Sequence, residues 1–128
     1  MKTTPVERDA LFKGFASALF KRDMDALYKV VSPEFVWRYH DGVSSEVVLT
    51  GREAILEHLD ENKAFYSTIL FHDVVYHHLA DVSFMTFRVS EIVRSTGEHR
   101  EQRGIERYTF EGGRIATKDV YRKPIAEQ

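Results

Sequence analysis

The sequence predicts an α+β domain: three N-terminal helices packed on a strongly curved, mainly antiparallel sheet, a cone with an internal cavity. Three observations carry that reading. Helical spacing of apolar residues ends near Phe65. Beyond it come long strand-like stretches parted by the turn signals Thr96-Gly97 and Gly112-Gly113, an α+β rather than a βαβ order. The 128 residues suit one domain spanning residues 1–128, with one core and room for one modest cavity.

The elements follow in order. From Val6 to Phe20 the apolar residues Leu11, Phe12, Phe15, Ala16, Leu19 and Phe20 form one helical stripe. Asp23 is placed to cap a second short helix carrying Met24, Leu27 and Val31, which Ser32-Pro33 ends. Phe35 to Tyr39 reads as a strand, being aromatic and β-branched. Thr50-Gly51-Arg52-Glu53 has the form of a capping box, with Thr50 as N-cap of a third helix carrying Ile55, Leu56 and Leu59. Four strands are predicted after it, at about His72–Leu79, Val82–Arg94, His99–Phe110 and Arg114–Arg122.

Composition narrows the classes of function. Eighteen Lys and Arg stand against 20 Asp and Glu, a formal charge of -2, so nucleic acid is not an expected partner. The absence of Cys excludes disulfides, thiolate metal sites and a cysteine nucleophile. No apolar run reaches the ~20 residues that span a bilayer, and Met1 to Pro5 hold no secretory h-region, so no membrane association and a cytoplasmic location are the expectations. Of the six histidines, His77 and His78 are neighbours on a strand and face opposite sides, and His58 is expected on the solvent face of its helix. No metal site and no cofactor are expected.

The candidate site comes from strand alternation. A two-residue turn at Thr96-Gly97 would pair Phe87 with Glu106, Val89 with Gly104 and Glu91 with Gln102. One face then carries Met85, Phe87, Val89, Glu91 and Val93, with Gln102, Gly104, Glu106, Tyr108 and Phe110 beside them. Being the more aromatic and aliphatic, it is read as inward. Glu106 sits among Phe87, Tyr108 and Phe110, a poorly solvated setting suited to proton transfer, and parity turns Arg103 and Arg107 away from it. Glu91 is nearer the turn and is expected at a solvated rim. Phe35, Trp37 and Tyr39 share one strand face and offer a flat apolar wall with a phenol handle.

The residue order also resembles a family. Phe20 to Leu27, Phe35 to Tyr39, Gly51 to Ile55 and Ile105 to Ile115 are similar to stretches of the nuclear transport factor two-like superfamily, in its SnoaL-like and ketosteroid-isomerase-like branch with a cystatin-like fold. The resemblance implies site positions one by one. The isomerase base falls on Tyr39, its two phenols on Phe15 and Leu59, and its protonated acid on Glu106, so one acid is kept and the base and phenols are not. In limonene epoxide hydrolases an arginine falls on Gly104 and a second aspartate near Asp119 or Val120, the alignment favouring Val120, so that triad is not intact either. SnoaL-type polyketide cyclases remain compatible.

The functional reading is a SnoaL-like protein with a largely apolar cavity for a small apolar or amphipathic ligand. Its chemistry would be cofactor-independent acid–base catalysis of isomerase, cyclase or hydrolase type. Glu106 is the acid–base group and Tyr39 the hydrogen-bond donor. The pocket is expected to be lined by Phe15, Phe35, Trp37, Leu59, Met85, Phe87, Val89, Glu91, Gln102, Tyr108 and Val120. The alternative is a non-catalytic dimeric module that binds a ligand or assembles. A homodimer is expected through the outer sheet face, where Phe84, Ile92 and Ile105 lie among Arg88 and Arg103.

Overall fold

A computed structural model of the chain describes residues 3–43 and 45–125. Its elements are α1 (Pro5–Lys21), α2 (Met24–Val30), β1 (Val31–His40), β2 (Glu46–Thr50), α3 (Arg52–Phe65), β3 (Tyr66–His78), β4 (Val82–Val93), β5 (His99–Glu111) and β6 (Arg114–Pro124). The six strands form one sheet in the order β2-β1-β6-β5-β4-β3. The β1–β6 pair is parallel and the others are antiparallel. The sheet does not close: β2 and β3 are its edges.

The predicted strand Phe35–Tyr39 lies within β1, and β2 joins it, so that a β1–β2 hairpin rather than a single strand separates α2 from α3. At five residues, β2 is too short to announce itself by alternation, and it absorbs Thr50, the expected cap. Gly51 takes the N-cap of α3 at φ 85, a left-handed setting open to glycine, and no side chain caps that helix.

Local chemistry explains the other boundaries. Thr4 and Glu7 close a reciprocal capping box on α1, and Arg22 ends the helix in the left-handed conformation. Asp23 accepts from the Ala26 N–H at 3.0 Å and starts α2. The chain then enters β1 directly at Val31. Pro33 is tolerated because the β1–β6 ladder is interrupted between Val31 and Val36. β3 begins at Tyr66, six residues before the expected start, and a kink at Asp73 (φ 53) marks a shift in its pairing with β4.

The inward stripe of α1 is Arg8, Phe12, Phe15 and Ala18. The expected stripe members Ala16 and Phe20 are exposed, Phe20 at 90%. Arg8 takes the remaining inward place. Its Nη1 donates to the Leu79 carbonyl at 2.6 Å and its Nη2 to the Ala80 carbonyl at 2.8 Å, with Ser83 Oγ and the Val82 carbonyl also in reach. Its guanidinium lies 4.4 Å over the Phe110 ring. One buried cation thus ties α1 to the β3–β4 turn.

The β4–β5 hairpin differs from the expected register by two residues. Phe87 pairs with Gly104 and Met85 with Glu106, because the turn between Val93 and Glu98 is four residues long, with Gly97 at φ 73. An offset of two preserves parity, so every side chain keeps its expected face. Met85, Phe87, Val89, Glu91, Val93, Gly104, Glu106 and Tyr108 are all buried toward the helices.

At this face the core packs Phe12, Phe15, Phe35, Trp37, Phe87 and Tyr108 together. A concavity of about 510 Å³ lies along α3, lined by Glu53, Leu56, Glu57, Asp60, Glu61 and Ala64. Another of about 100 Å³ lies beside Arg8, between the β3–β4 and β5–β6 turns.

The tip of the Phe87 ring abuts Gly104, where an added Cβ would clash with Phe87 Cζ, Cε1 and Cε2. Gly104→Ala is expected to destabilise the fold by ~1–3 kcal/mol in urea unfolding, and Phe87→Leu in the same chain to recover part of that loss. A Gly104→Ala protein as stable as its parent would show that the ring is free to move aside.

Candidate active site

The site is built on the helix-facing side of β6, β5 and β1. Lys118, Val120 and Arg122 alternate inward on β6. Register brings Lys118 beside Trp37 on one flank and Tyr108 on the other, and sets Val120 beside Glu106. Glu106 is 3% exposed. Its Oε1 accepts a hydrogen bond from the Tyr108 hydroxyl and lies 3.6 Å from Lys118 Nζ. The cation that meets Glu106 thus comes from the neighbouring strand.

Lys118 is held in an unusual way for an ammonium. Its side chain is 8% exposed, and Nζ lies 3.9 Å above the Trp37 ring and 5.2 Å from the Phe15 ring. Its 3.6 Å approach to Glu106 is longer than a hydrogen bond. Burial pushes its pKa below the ordinary lysine value and Arg122 adds to that, while Glu106 opposes it. Tyr108 is driven well above the ordinary phenol range by burial and by the Glu106 charge, so it stays a donor. Tyr76, stacked on Phe12, is pushed up to about 12 by burial, with Glu106 contributing.

A second group lies farther along β6. Arg122 Nη1 is 3.4 Å from Glu91 Oε2 and 3.4 Å from Gln102 Oε1, and the guanidinium lies 5.5 Å from the Phe87 ring and 5.8 Å from Phe71. Glu91 is buried at 4% exposure rather than placed at a solvated rim, because this arginine covers it. Arg122 faces Gly104 in the β5–β6 ladder. The guanidinium absent from position 104 is thus supplied at the same level by the next strand.

The third group corrects the expectation for His58. It turns toward the sheet, its ring 5.0 Å from Trp37 and 4.8 Å from Tyr39. His58 Nδ1 and Tyr39 Oη are 3.2 Å apart, and Asn62 Nδ2 lies 3.2 Å from His58 Nε2. Burial first, then Lys118 and Arg122, lower the His58 pKa to about 4, so the ring is neutral near pH 7. The neutral ring carries its proton on one nitrogen, so which of His58 Nδ1 and Tyr39 Oη donates depends on the tautomer.

The expected pocket residues Phe15, Phe35, Trp37, Met85, Phe87, Val89, Glu91, Tyr108 and Val120 are all buried. Leu59 and Gln102 are half-buried. The two expected catalytic residues do not touch. Tyr39 follows the Arg38–Asp119 pair and so lies beside Val120, two strands from Glu106, roughly 10 Å at the usual strand spacing. Asp119 accepts from the Tyr121 hydroxyl at 2.8 Å, away from this site. Lys118, Arg122 and His58 were missed as site residues. Parity with Val120 was the signal that would have found the first two.

His78 bridges Ser83 Oγ at 2.7 Å and Asp9 Oδ1 at 2.8 Å, whereas His77 meets Thr86 Oγ1 on the other face. Among the described residues no group of three metal-ligating side chains gathers, and no helix is long and apolar enough to cross a membrane.

The lowered His58 pKa sets a pH dependence. The unfolded chain takes up this proton near pH 6.5 and the folded one near pH 4, so the folded state refuses it in between. This contribution to stability is present above about pH 6.5 and lost as the pH falls toward about 4. His58→Gln is expected to flatten that part of the profile of urea midpoint against pH. An unchanged slope would mean that His58 titrates normally.

Comparison with known proteins completes the description. The SnoaL-like domain family matches residues 12–118, and the chain belongs to that family. No curated protein matches it in sequence. Among solved structures it is similar to an NTF2-like protein from Burkholderia xenovorans LB400, with 14% identity and a TM-score of 0.79 over 94% of this chain and 92% of that one. It is also similar to a candidate polyketide cyclase from Xanthomonas campestris pv. campestris, with 15% identity and a TM-score of 0.71 over 90% and 89%. A ketosteroid isomerase-like fold from Catenulispora acidiphila DSM 44928, in complex with trimethylamine, gives 14% identity and a TM-score of 0.69 over 93% and 86%. At these identities the similarity concerns the fold.

Proposed function

We propose that this SnoaL-like domain takes a small, largely apolar or amphipathic carbonyl compound onto its helix-facing sheet surface and moves a proton on it, with Glu106 as the acid–base group. The observation that carries this reading is the Glu106–Lys118 pair beside Tyr108, buried among Phe15, Trp37 and Phe87. A buried ion pair is a poor source of stability, because desolvation offsets its attraction, so its presence here is better explained by chemistry than by folding. Tyr39, half-buried beside His58, is the hydrogen-bond donor to the ligand oxygen. The chemistry is cofactor-independent, of the isomerase, cyclase or hydrolase type. The candidate cyclase among the structural neighbours is compatible with it.

The ligand enters beside α3. That helix has one fully buried side chain, Ile55, and otherwise rests on half-buried Ala54, Leu56, His58, Leu59 and Asn62. It is the lightest seal over the site. A second reading, a non-catalytic dimeric module, is favoured by the packed core around Glu106.

The test is exchange of the acidic α-protons of 2-tetralone into D2O, followed by NMR at pH ~7. The wild-type protein is expected to accelerate exchange, and Glu106→Gln to lower that rate by about 10²-fold or more while ligand binding changes less than about tenfold. Glu106→Gln is also expected to unfold at lower temperature than the parent, since it leaves Lys118 buried without its carboxylate. Equal exchange with and without protein would remove the catalytic reading and leave the binding module.

We also propose a homodimer through the outer sheet face, where Ile105 and Tyr121 are 45% and 58% exposed and Phe84 and Ile92 are half-buried. Light scattering at high micromolar concentration is expected to give twice the chain mass. A monomer mass would overturn it.

A further inference from the structure

Lys118 has the surroundings of a reactive amine. Aromatic faces cover it, Glu106 stands 3.6 Å away as its ion-pair partner, and Arg122 is a second cation on the same face of β6. An ammonium in water would be solvated on all three N–H groups; here the ring faces of Phe15 and Trp37 take the place of acceptors. Burial favours the neutral amine, the nucleophilic form, and Arg122 adds to it, while the Glu106 charge pulls the other way without cancelling the effect. Burial that merely packed an aliphatic stem would have left Nζ in water.

We propose that Lys118 forms an imine with small aldehydes and ketones that enter this site. The inference rests on the reading of the face as a site for carbonyl ligands, and it adds a covalent step to it. The Lys118 ammonium first gives a proton to the Glu106 carboxylate. The freed lone pair forms the N–C bond at the carbonyl carbon, and the carbonyl π electrons pass to oxygen. That oxygen takes the proton back from Glu106, giving a carbinolamine. A second proton moves from nitrogen through Glu106 to the hydroxyl, which leaves as water as the C=N bond forms. Ammonium plus carbonyl become iminium plus water, with no redox partner. The iminium keeps the positive charge beside Glu106 and acidifies the adjacent C–H, which serves the proton transfer proposed above.

The experiment uses benzaldehyde, which has no α-proton and so separates imine formation from α-proton exchange. The wild-type chain is incubated with benzaldehyde and cyanoborohydride at pH ~7 and digested for peptide mapping. Lys118 is expected to be alkylated about tenfold faster than the exposed Lys13, Lys29 and Lys63, whose amines have no aromatic cover and no carboxylate placed to shuttle the proton. Glu106→Gln is expected to slow labelling at Lys118 and leave the exposed lysines unchanged. Labelling of the exposed lysines with Lys118 untouched overturns the proposal, and this reading needs no variant that must fold. Trp37 is the chain's one tryptophan, and its fluorescence without reductant reports entry of the probe. Quenching of Trp37 with no adduct on Lys118 overturns the imine and spares the carbonyl site. Neither quenching nor adduct overturns both.

Discussion

A carboxylate and an ammonium share the driest part of this domain, and the arrangement around them follows from that constraint. Glu106 and Lys118 come from adjacent strands, so the β5–β6 ladder must hold its register for them to meet. A one-residue slip of either strand would turn its member of the pair to the outer face and leave the other buried alone. The aromatic residues around them leave little room for water, so the pair depends on itself and on the Tyr108 hydroxyl for compensation. Folding tolerates such a pair only when the rest of the core is well placed, and here that core is the contact between α1 and the sheet.

That contact is secured by a second buried charge with a different solution. That charge is Arg8. It spends its donors on the carbonyls of Leu79, Ala80 and Val82 and on Ser83 Oγ, groups that a turn would otherwise show to water. A planar guanidinium suits this role because its donors are fixed in a fork. The Asp9–His78–Ser83 chain lies beside it and ties the same helix to the same turn. α1 is therefore bound firmly at one end of the sheet, whereas α3 rests on it with few buried groups. This asymmetry places the lighter cover over Tyr39 and His58, the polar side of the candidate site.

Local signals were legible where the deciding interaction is between near neighbours. Asp23 caps α2 because its side chain reaches a backbone N–H three residues on, and alternation along β4 and β5 sorted inward from outward residues because the pleat has a period of two. Thr50 failed as a cap because a strand claimed it. Phe20 failed as a core residue because helical spacing defines a stripe but not the direction in which the stripe points. Glu91 was read as solvated because its shield, Arg122, lies 31 residues away along the chain.

From the chain alone came the family, the α+β class and the inward face with Glu106 on it, since each depends on patterns that survive a shift of two residues or a change of loop length. The partnership of Glu106 with Lys118, the turning of His58 onto Tyr39 and the covering of Glu91 by Arg122 came from packing. Each joins residues from separate elements whose distance apart depends on register, turn length and the seat of a helix. Those quantities are set by the balance of many contacts across the core, and no local stretch of sequence carries them.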